Sequence, residues 1–413
     1  MSGILVVGAG PAGLSLALQL ARAGRRVTLL EARRDFARGL RGDALMPCGL
    51  EALARMGWWK ALERLPQRSL QGWSVWLEGR RLFTAAEPLG SLQPCRLVPQ
   101  QALLEAMLAE ALSLDTFHWE PGSAVSELLA WGGRIRGVRL ADGRRLEGDL
   151  VVGCDGRDSL LRRAADLELR RLGPPLELLW FQLPPQEGAA PPDGAGEPEA
   201  PGRGAEPQGF LTLVGGGAIA SACRGARGEL QLGWLLEPGQ APPQRSAREW
   251  ADALARLAPE PLASLLRRDA VHLDGPRRLR VQVGHARRWW RPGLLLLGDA
   301  AHPMSPIRAQ GINMALRDSL VAAQELLRAD ETGAAAMGEA SLDRICGRIE
   351  RRRRPEIRRM QALQLAEARQ GQRIGHNPLL RHGLALAAPL LGPVARRVWL
   401  ARQRPLREGA VWL

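Results

Sequence analysis

The stretch ILVVGAGPAGLSLALQLARAGRRVTLLEARR, residues 4–34, opens on a short uninterrupted apolar run, Ile4 to Val7, with the character of a buried strand. Gly8, Gly10 and Gly13 follow at the spacing GxGxxG, then a helical pattern carrying Leu14, Leu16, Leu18 and Leu20. A turn at Gly24 leads to a second apolar run, Val27 to Leu30, that ends on Glu31. Each part has a mechanical use. Gly8 allows the tight turn, Gly10 lets the backbone approach a pyrophosphate, and Gly13 lets the helix pack closely on the strand. The helix N-terminus offers unpaired N–H groups and the positive end of its dipole to the phosphates. Glu31 stands where a ribose hydroxyl can be accepted. The glycines alone are weak evidence, but strand, helix, second strand and terminal acid all fall where a dinucleotide site needs them. NAD and FAD both remain open at this point.

The bulk properties narrow the class. A chain of 413 residues can bury a large core and suits two domains, or one with a large insertion. Net charge is +14 and the pI about 11.2, yet Lys60 is the only lysine and tyrosine is absent. Arg, Ala, Gly and Pro are abundant, so the basicity follows GC-rich codon usage rather than a nucleic-acid surface. No arginine stripe interleaved with aromatics is present, and nucleic acid is not expected as a partner. Cys48, Cys95, Cys154, Cys223 and Cys346 are scattered, odd in number and form no CxxC, which predicts reduced thiols, no zinc site and a cytoplasmic setting. The chain enters a strand almost at once, so no signal peptide is expected. The longest candidate for a membrane span, Gly383 to Val394, is too short and holds two prolines.

Further along, Arg41-Gly42-Asp43 precedes an amphipathic helix through Leu50, Leu53 and Met56, stopped by Gly57. Arg41 can pair with a pyrophosphate or be a solvated loop charge. Residues 73–84 predict a hairpin turning at Gly79, and 97–112 a helix with Pro99 and Gln100 in its first turn. Residues 123–149 read as a β-meander. In LEGDLVVGCDGRDSLLRR (146–163) an apolar strand runs into Asp155-Gly156, and a helix starts near Ser159. Strands are predicted at 176–183 and within 209–236, a helix at 246–266 and a strand at 270–283. Residues 184–209 have almost no apolar bulk and read as a disordered insertion. In RPGLLLLGDAAHPMSPIRAQGINMALRDSLVAAQELL (291–327), Leu294 to Leu297 deliver Gly298-Asp299 to the carboxyl end of a strand, where open α/β sheets meet their ligands. A long helix begins near Ile312. The last seventy residues are helical and basic. They predict an amphipathic helix pair packed on the dinucleotide domain; the alternative is a membrane-surface helix with Trp399 and Trp412 at the interface.

Together and in this order, GAGPAG with its distal Glu31, GCDGRDSLLR and GDAAHPMSPIRAQGIN resemble the para-hydroxybenzoate hydroxylase family of FAD-dependent monooxygenases, over most of residues 1–345. The resemblance implies an α/β fold: a Rossmann-like FAD-binding domain (1–72, 96–165 and 272–345), an interleaved β-sheet substrate domain (73–95 and 166–271) and a helical C-terminus (346–413). It implies that Gly8, Gly10, Gly13 and Glu31 hold the ADP half of FAD and that Arg41 lies beside the pyrophosphate. Gln100 matches a flavin-contacting position. Asp155 and Gly156 match the motif tied to both FAD and the nicotinamide donor, and Asp299 would bind the ribityl chain. The backbone around Gln310, Gly311, Ile312 and Asn313 would face the flavin pyrimidine edge, where negative charge grows on reduction.

Two departures from the family stand out. Arg308-Ala309 replaces small residues before Gln310-Gly311; Arg308 can stabilise reduced flavin, narrow the cavity or point to solvent. The absence of tyrosine removes the device by which some members activate phenols. His302 is either a base or a structural histidine. The resemblance implies that NADPH or NADH visits transiently to reduce the flavin, which then activates oxygen as a C4a-hydroperoxide beside an apolar pocket. An apolar aromatic, quinone-like or isoprenoid substrate is expected, the loop 302–319 resembling that of ubiquinone-biosynthesis hydroxylases. The alternatives are a flavin-dependent reductase of isoprenoid double bonds and a non-catalytic flavin-binding protein. A flavin-dependent halogenase is disfavoured, since the chain has one lysine and neither GWWK (57–60) nor RWWRP (288–292) fits its motif.

Overall fold

The computed structural model describes residues 3–36, 43–91, 93–185, 209–237, 239–331 and 338–410. Arg41, Trp412 and nearly all of the insertion expected at 184–209 lie outside them.

The apolar runs read from the sequence assemble into a six-stranded sheet in the order Trp290–Arg291, Leu294–Leu296, Leu150–Gly153, Ile4–Val7, Val27–Glu31, Phe117–Pro121. All neighbours are parallel except the short edge strand Trp290–Arg291. Parallel strands need crossover connections that cover the faces, and this is why their runs are apolar on both sides. Val6 points into a cluster with Leu14 and Leu18 of helix Pro11–Arg22 and Leu316 and Leu320 of helix Gln310–Glu331. Leu5 and Val7 point the other way, onto Ile135, Val138 and Leu140 of the meander. Burying each such side chain contributes about 1.5–3 kcal/mol.

A seven-stranded sheet stands against this unit, in the order Asp274–Val281, Leu176–Leu183, Leu230–Leu236, Ala218–Arg224, Phe210–Gly215, Gly72–Leu77, Arg80–Ala86. The pairing is antiparallel except between Phe210–Gly215 and Gly72–Leu77. Its strands alternate: Leu179, Phe181, Leu213 and Leu232 bury against Trp250, Leu254, Leu262 and Leu266, while Leu178, Trp180, Phe210 and Thr212 face a cavity.

Three expectations change. The helix expected over 246–266 is two helices, Ala247–Ala255 and Glu260–Arg268, because Pro259 cannot continue the first and instead caps the second. The strand expected at 270–283 is shortened by a single 3₁₀ turn, Ala270–His272. The C-terminal helices do not pack on the dinucleotide half alone. Helix Glu339–His376 starts against it through Leu342, Ile345 and Ile349, but its end and helix Pro378–Leu386 reach the second sheet, where Ile374 and Ala385 meet Leu77 and Val214. Helix Ala388–Glu408 lies so close to strand Arg80–Ala86 that a Cβ on Gly392 would sit 2.4 Å from the Leu82 carbonyl oxygen. Trp399 therefore faces inward, 6.1 Å from Trp73 and 5.5 Å from Phe83 between ring centres, and not outward to an interface.

Candidate active site

One cavity of about 1870 Å³ runs from the Gly8–Gly10 turn to the inner face of the seven-stranded sheet. Gly8 takes a left-handed backbone (φ +101°), and a Cβ there would strike the Cys154 carbonyl oxygen at 2.4 Å. A Cβ on Gly13 would lie 1.9 Å from the Gly8 oxygen, whereas one on Gly10 would meet nothing within 4 Å. The first two glycines are demanded by packing; Gly10 opens onto space in front of the helix N-terminus. That helix has Pro11 in its first turn, no side-chain cap and no acidic residue there, so its first N–H groups and dipole are left for an anion. The residues thus fit a dinucleotide.

Glu31 is buried at the end of its strand and borders the cavity. Its carboxylate also holds the turn, accepting from the Ala9 N–H at 2.9 Å and the Arg33 N–H at 3.2 Å. Gln100 borders the cavity at the start of helix Gln100–Ala111. Asp155 and Gly156 also border it, but the Asp155 carboxylate accepts from Ser159 Oγ (2.6 Å) and the Leu161 N–H (3.1 Å), fixing the strand-to-helix corner. Asp299 pairs with Arg157 at 3.1 Å on the cavity wall.

The loop before helix Gln310–Glu331 brings Pro306, Ile307, Arg308 and Ala309 to the cavity. Gly311 and Ile312 border the cavity. Asn313 turns away: its Oδ1 accepts from the Met46 N–H (2.9 Å) and its Nδ2 donates to Ala44 (3.1 Å) and Ala309 (2.8 Å) carbonyls. Gln310 donates to the Leu406 carbonyl at 2.7 Å, tying the loop to the last helix.

His302 is not placed to act as a base. It is 1% exposed, off the cavity, and its Nε2 lies 2.5 Å from Asp318 Oδ2. Asp318 is fully buried; burial works to raise its pKa, but the charges of His302 and Arg353 outweigh that and hold it below the usual range. Arg308 does not point to solvent either. Its guanidinium is 4.6 Å from the Trp73 ring, 5.2 Å from Trp399 and 5.9 Å from Phe210, and it pairs with Glu367. Arg308 and Ala309 both adopt left-handed backbone (φ 58° and 47°), a strained pair of the kind that clusters at functional sites.

Sequence reasoning passed over several residues here. Asp43, two residues after Arg41, borders the cavity, accepts from the Gln100 N–H at 3.2 Å and takes a hydrogen bond from Gln231, also at 3.2 Å. Burial pushes its pKa up to about 6, against those hydrogen bonds. Glu367 had no local pattern to mark it, while Trp73 was read only as the start of a hairpin and Trp399 only as an interface residue. All five cysteines are free in the structure.

Residues 1–344 match the FAD binding domain family. The chain belongs to that family. Among curated relatives of this flavoprotein, 6-methylpretetramide 4-monooxygenase of Streptomyces rimosus is 33% identical over 378 residues, covering 89% of this chain and 83% of that protein. The 3-demethoxyubiquinol 3-hydroxylase of Escherichia coli (strain K12) is 28% identical over 76% of this chain and 77% of its own. Among solved structures, a four-substitution mutant of Pseudomonas aeruginosa PqsL superposes with a TM-score of 0.74 at 23% identity, covering 93% of this chain and 98% of its own. The p-nitrophenol 4-monooxygenase PnpA of Pseudomonas putida gives 0.73 at 18%, over 100% and 99%. Fold and relatives agree with the para-hydroxybenzoate hydroxylase type. FAD is the dinucleotide, and the protein is an FAD-dependent oxidoreductase of the monooxygenase class.

Proposed function

We propose that this flavoprotein uses NADPH or NADH and O₂ to hydroxylate a flat, largely apolar aromatic or quinol-like molecule that carries an acidic oxygen. The observation that carries the reading is the continuity of the cavity from the dinucleotide turn, past Asp299 and Gly311, to the Trp73–Trp399–Phe210 box around Arg308. FAD would be held by Gly8, Gly10 and the helix N-terminus at its phosphates, by Glu31 at the adenosine ribose, and by Asp299 along the ribityl chain. The backbone N–H groups of Gly311 and Ile312 would meet the ring's pyrimidine edge.

When bound, FAD supplies the hydride acceptance and oxygen activation that side chains cannot. The chain's own part is positional. The aromatic faces and Leu178, Val75 and Leu235 give the substrate a dry seat. Arg308 answers an anionic ring oxygen, a task that other hydroxylases give to the tyrosine this chain lacks; the substrate competes with Glu367 for it. The cavity's outer wall includes Arg277, Arg278 and Arg280 on edge strand Asp274–Val281, which suits the phosphates of a visiting nicotinamide donor. One hydride and one proton, with O₂, place one oxygen atom in a substrate C–H bond and release the other as water.

The FAD-loaded protein should be incubated with NAD(P)H under ¹⁸O₂ and a panel of fused-ring phenols and quinols. One ¹⁸O atom in the product per nicotinamide oxidised is expected. A reduced product without ¹⁸O would replace this reading with that of a flavin-dependent reductase. The similarity to proteins whose names are monooxygenase and hydroxylase favours oxygen insertion.

A further inference from the structure

The exposed apolar side chains of this molecule are gathered on its last two helices. Leu379 is 86% exposed, Leu386 67%, Leu390 82%, Leu391 42%, Val394 57% and Val398 47%. Elsewhere among the described residues only Leu112, Trp131 and Val271 are large, apolar and exposed, and they are far apart in the chain. Leu390, Val394 and Val398 recur every four residues, forming one stripe along helix Ala388–Glu408 beside Leu391. The opposite faces hold the helices down: Ala385 and Leu384 pack on Leu77 and Val214, and Gly392 sits against Leu82. A helix whose second face is also apolar presents that face to something other than water.

We infer that this surface docks on an anionic lipid membrane. Between Pro378 and Arg407 there is no acidic residue, while Arg396 and Arg397, both exposed, flank Val394 and Val398. An apolar stripe bordered by arginines is the pattern of a helix lying in the headgroup region. Taken together, helices Pro378–Leu386 and Ala388–Glu408 are apolar enough for a membrane, but they meet at 103°, and no single helix among the described residues is long and apolar enough to cross one. The contact is therefore superficial. It uses a face different from the one expected from the sequence, since Trp399 is turned inward. Leu380, Leu384, Ala395, Val398 and Trp399 on the same two helices border the cavity, so an apolar molecule leaving the bilayer would meet the wall of the site directly. The docking itself does not depend on which substrate is used.

The test is flotation of the full-length, FAD-loaded protein with vesicles of phosphatidylcholine alone or mixed with phosphatidylglycerol. Recovery with the anionic vesicles is expected, with at least a fivefold loss in Leu379→Asp/Leu390→Asp. Arg396→Glu/Arg397→Glu should remove the preference for phosphatidylglycerol. Flavin content and melting temperature should stay unchanged, since none of these side chains borders the cavity. Failure to float with either vesicle, or flotation unchanged by both double variants, would overturn the inference. A dimer in sedimentation that the leucine variant dissociates would also overturn it, assigning the face to a second copy of the chain.

Discussion

Arg308 is the residue through which this site differs most from a plain flavin pocket. Its charge is set among Trp73, Phe210 and Trp399 and balanced by Glu367. A hydrogen bond to a charged group is worth about 1.5–3 kcal/mol, so Arg308→Ala should weaken binding of an acidic ring ligand roughly 10- to 100-fold. Binding of its neutral methyl ether should change little, as read by quenching of tryptophan fluorescence. Equal loss for both ligands would make Arg308 a packing residue only. Asp43 gives a second prediction. Its pKa is raised from 3.8 to about 6, so the folded state binds the extra proton between those values and loses stability as pH rises through them. At pH 7 the cost is at most roughly 3 kcal/mol. Asp43→Asn should therefore be more stable than the native chain at pH 7 by up to that amount and equal to it near pH 4, in denaturant titrations at each pH. A gap that does not change with pH would contradict the assignment. The surroundings of neither residue could be read from the sequence. Arg308 was visible as a departure, but its partner Glu367 lies 59 residues away and its ring partners on other elements. Asp43 was quoted only together with Arg41, and what raises its pKa is burial, which no local pattern encodes.

At the scale of elements, the helix Gln310–Glu331 joins everything that matters. Its N-terminus borders the cavity, its apolar stripe packs on helix Pro11–Arg22, and Ser15 donates to Ser319 across that contact at 2.7 Å. A buried ionic network fastens it to helix Glu339–His376: Asp318 takes Arg353 (2.7 Å) and His302, and Glu356 takes Arg317 (2.9 Å) and Arg353. Removing one member leaves uncompensated charge in the interior. Asp318→Asn should cost about 3–5 kcal/mol in chemical denaturation. The native network should weaken as pH falls, because the depressed Asp318 pKa favours folding only while the group is ionised. A cost below about 1 kcal/mol would mean that the network is not what joins these helices. The elements themselves were largely legible, since the first strand–helix–strand unit, the hairpin at Gly79 and the meander all depend on short-range patterns. What was missed is long-range. Pro259 breaking a predicted helix could have been read, but the ion network and the reach of the C-terminal helices onto the second sheet could not.

For the whole molecule, the arrangement is a flavin cradle and a sheet-lined seat sharing one cavity, with the last helices as its wall. The family was legible because its motifs are backbone devices with fixed spacing: Gly8 and Gly13 admit no Cβ, and Asp299 ends a buried strand. The substrate was not, because the seat proposed for it would draw on residues of distant strands and of a C-terminal helix. The central claim is that a nicotinamide donor reaches flavin in this cavity and reduces it. Anaerobic mixing of the FAD-loaded protein with NADPH, and separately NADH, while following the flavin's visible absorption, tests that claim most directly. The account predicts bleaching with at least one donor, and recovery of the colour when oxygen is readmitted. Flavin that stays oxidised with both donors, even with fused-ring phenols and quinols present, would contradict it.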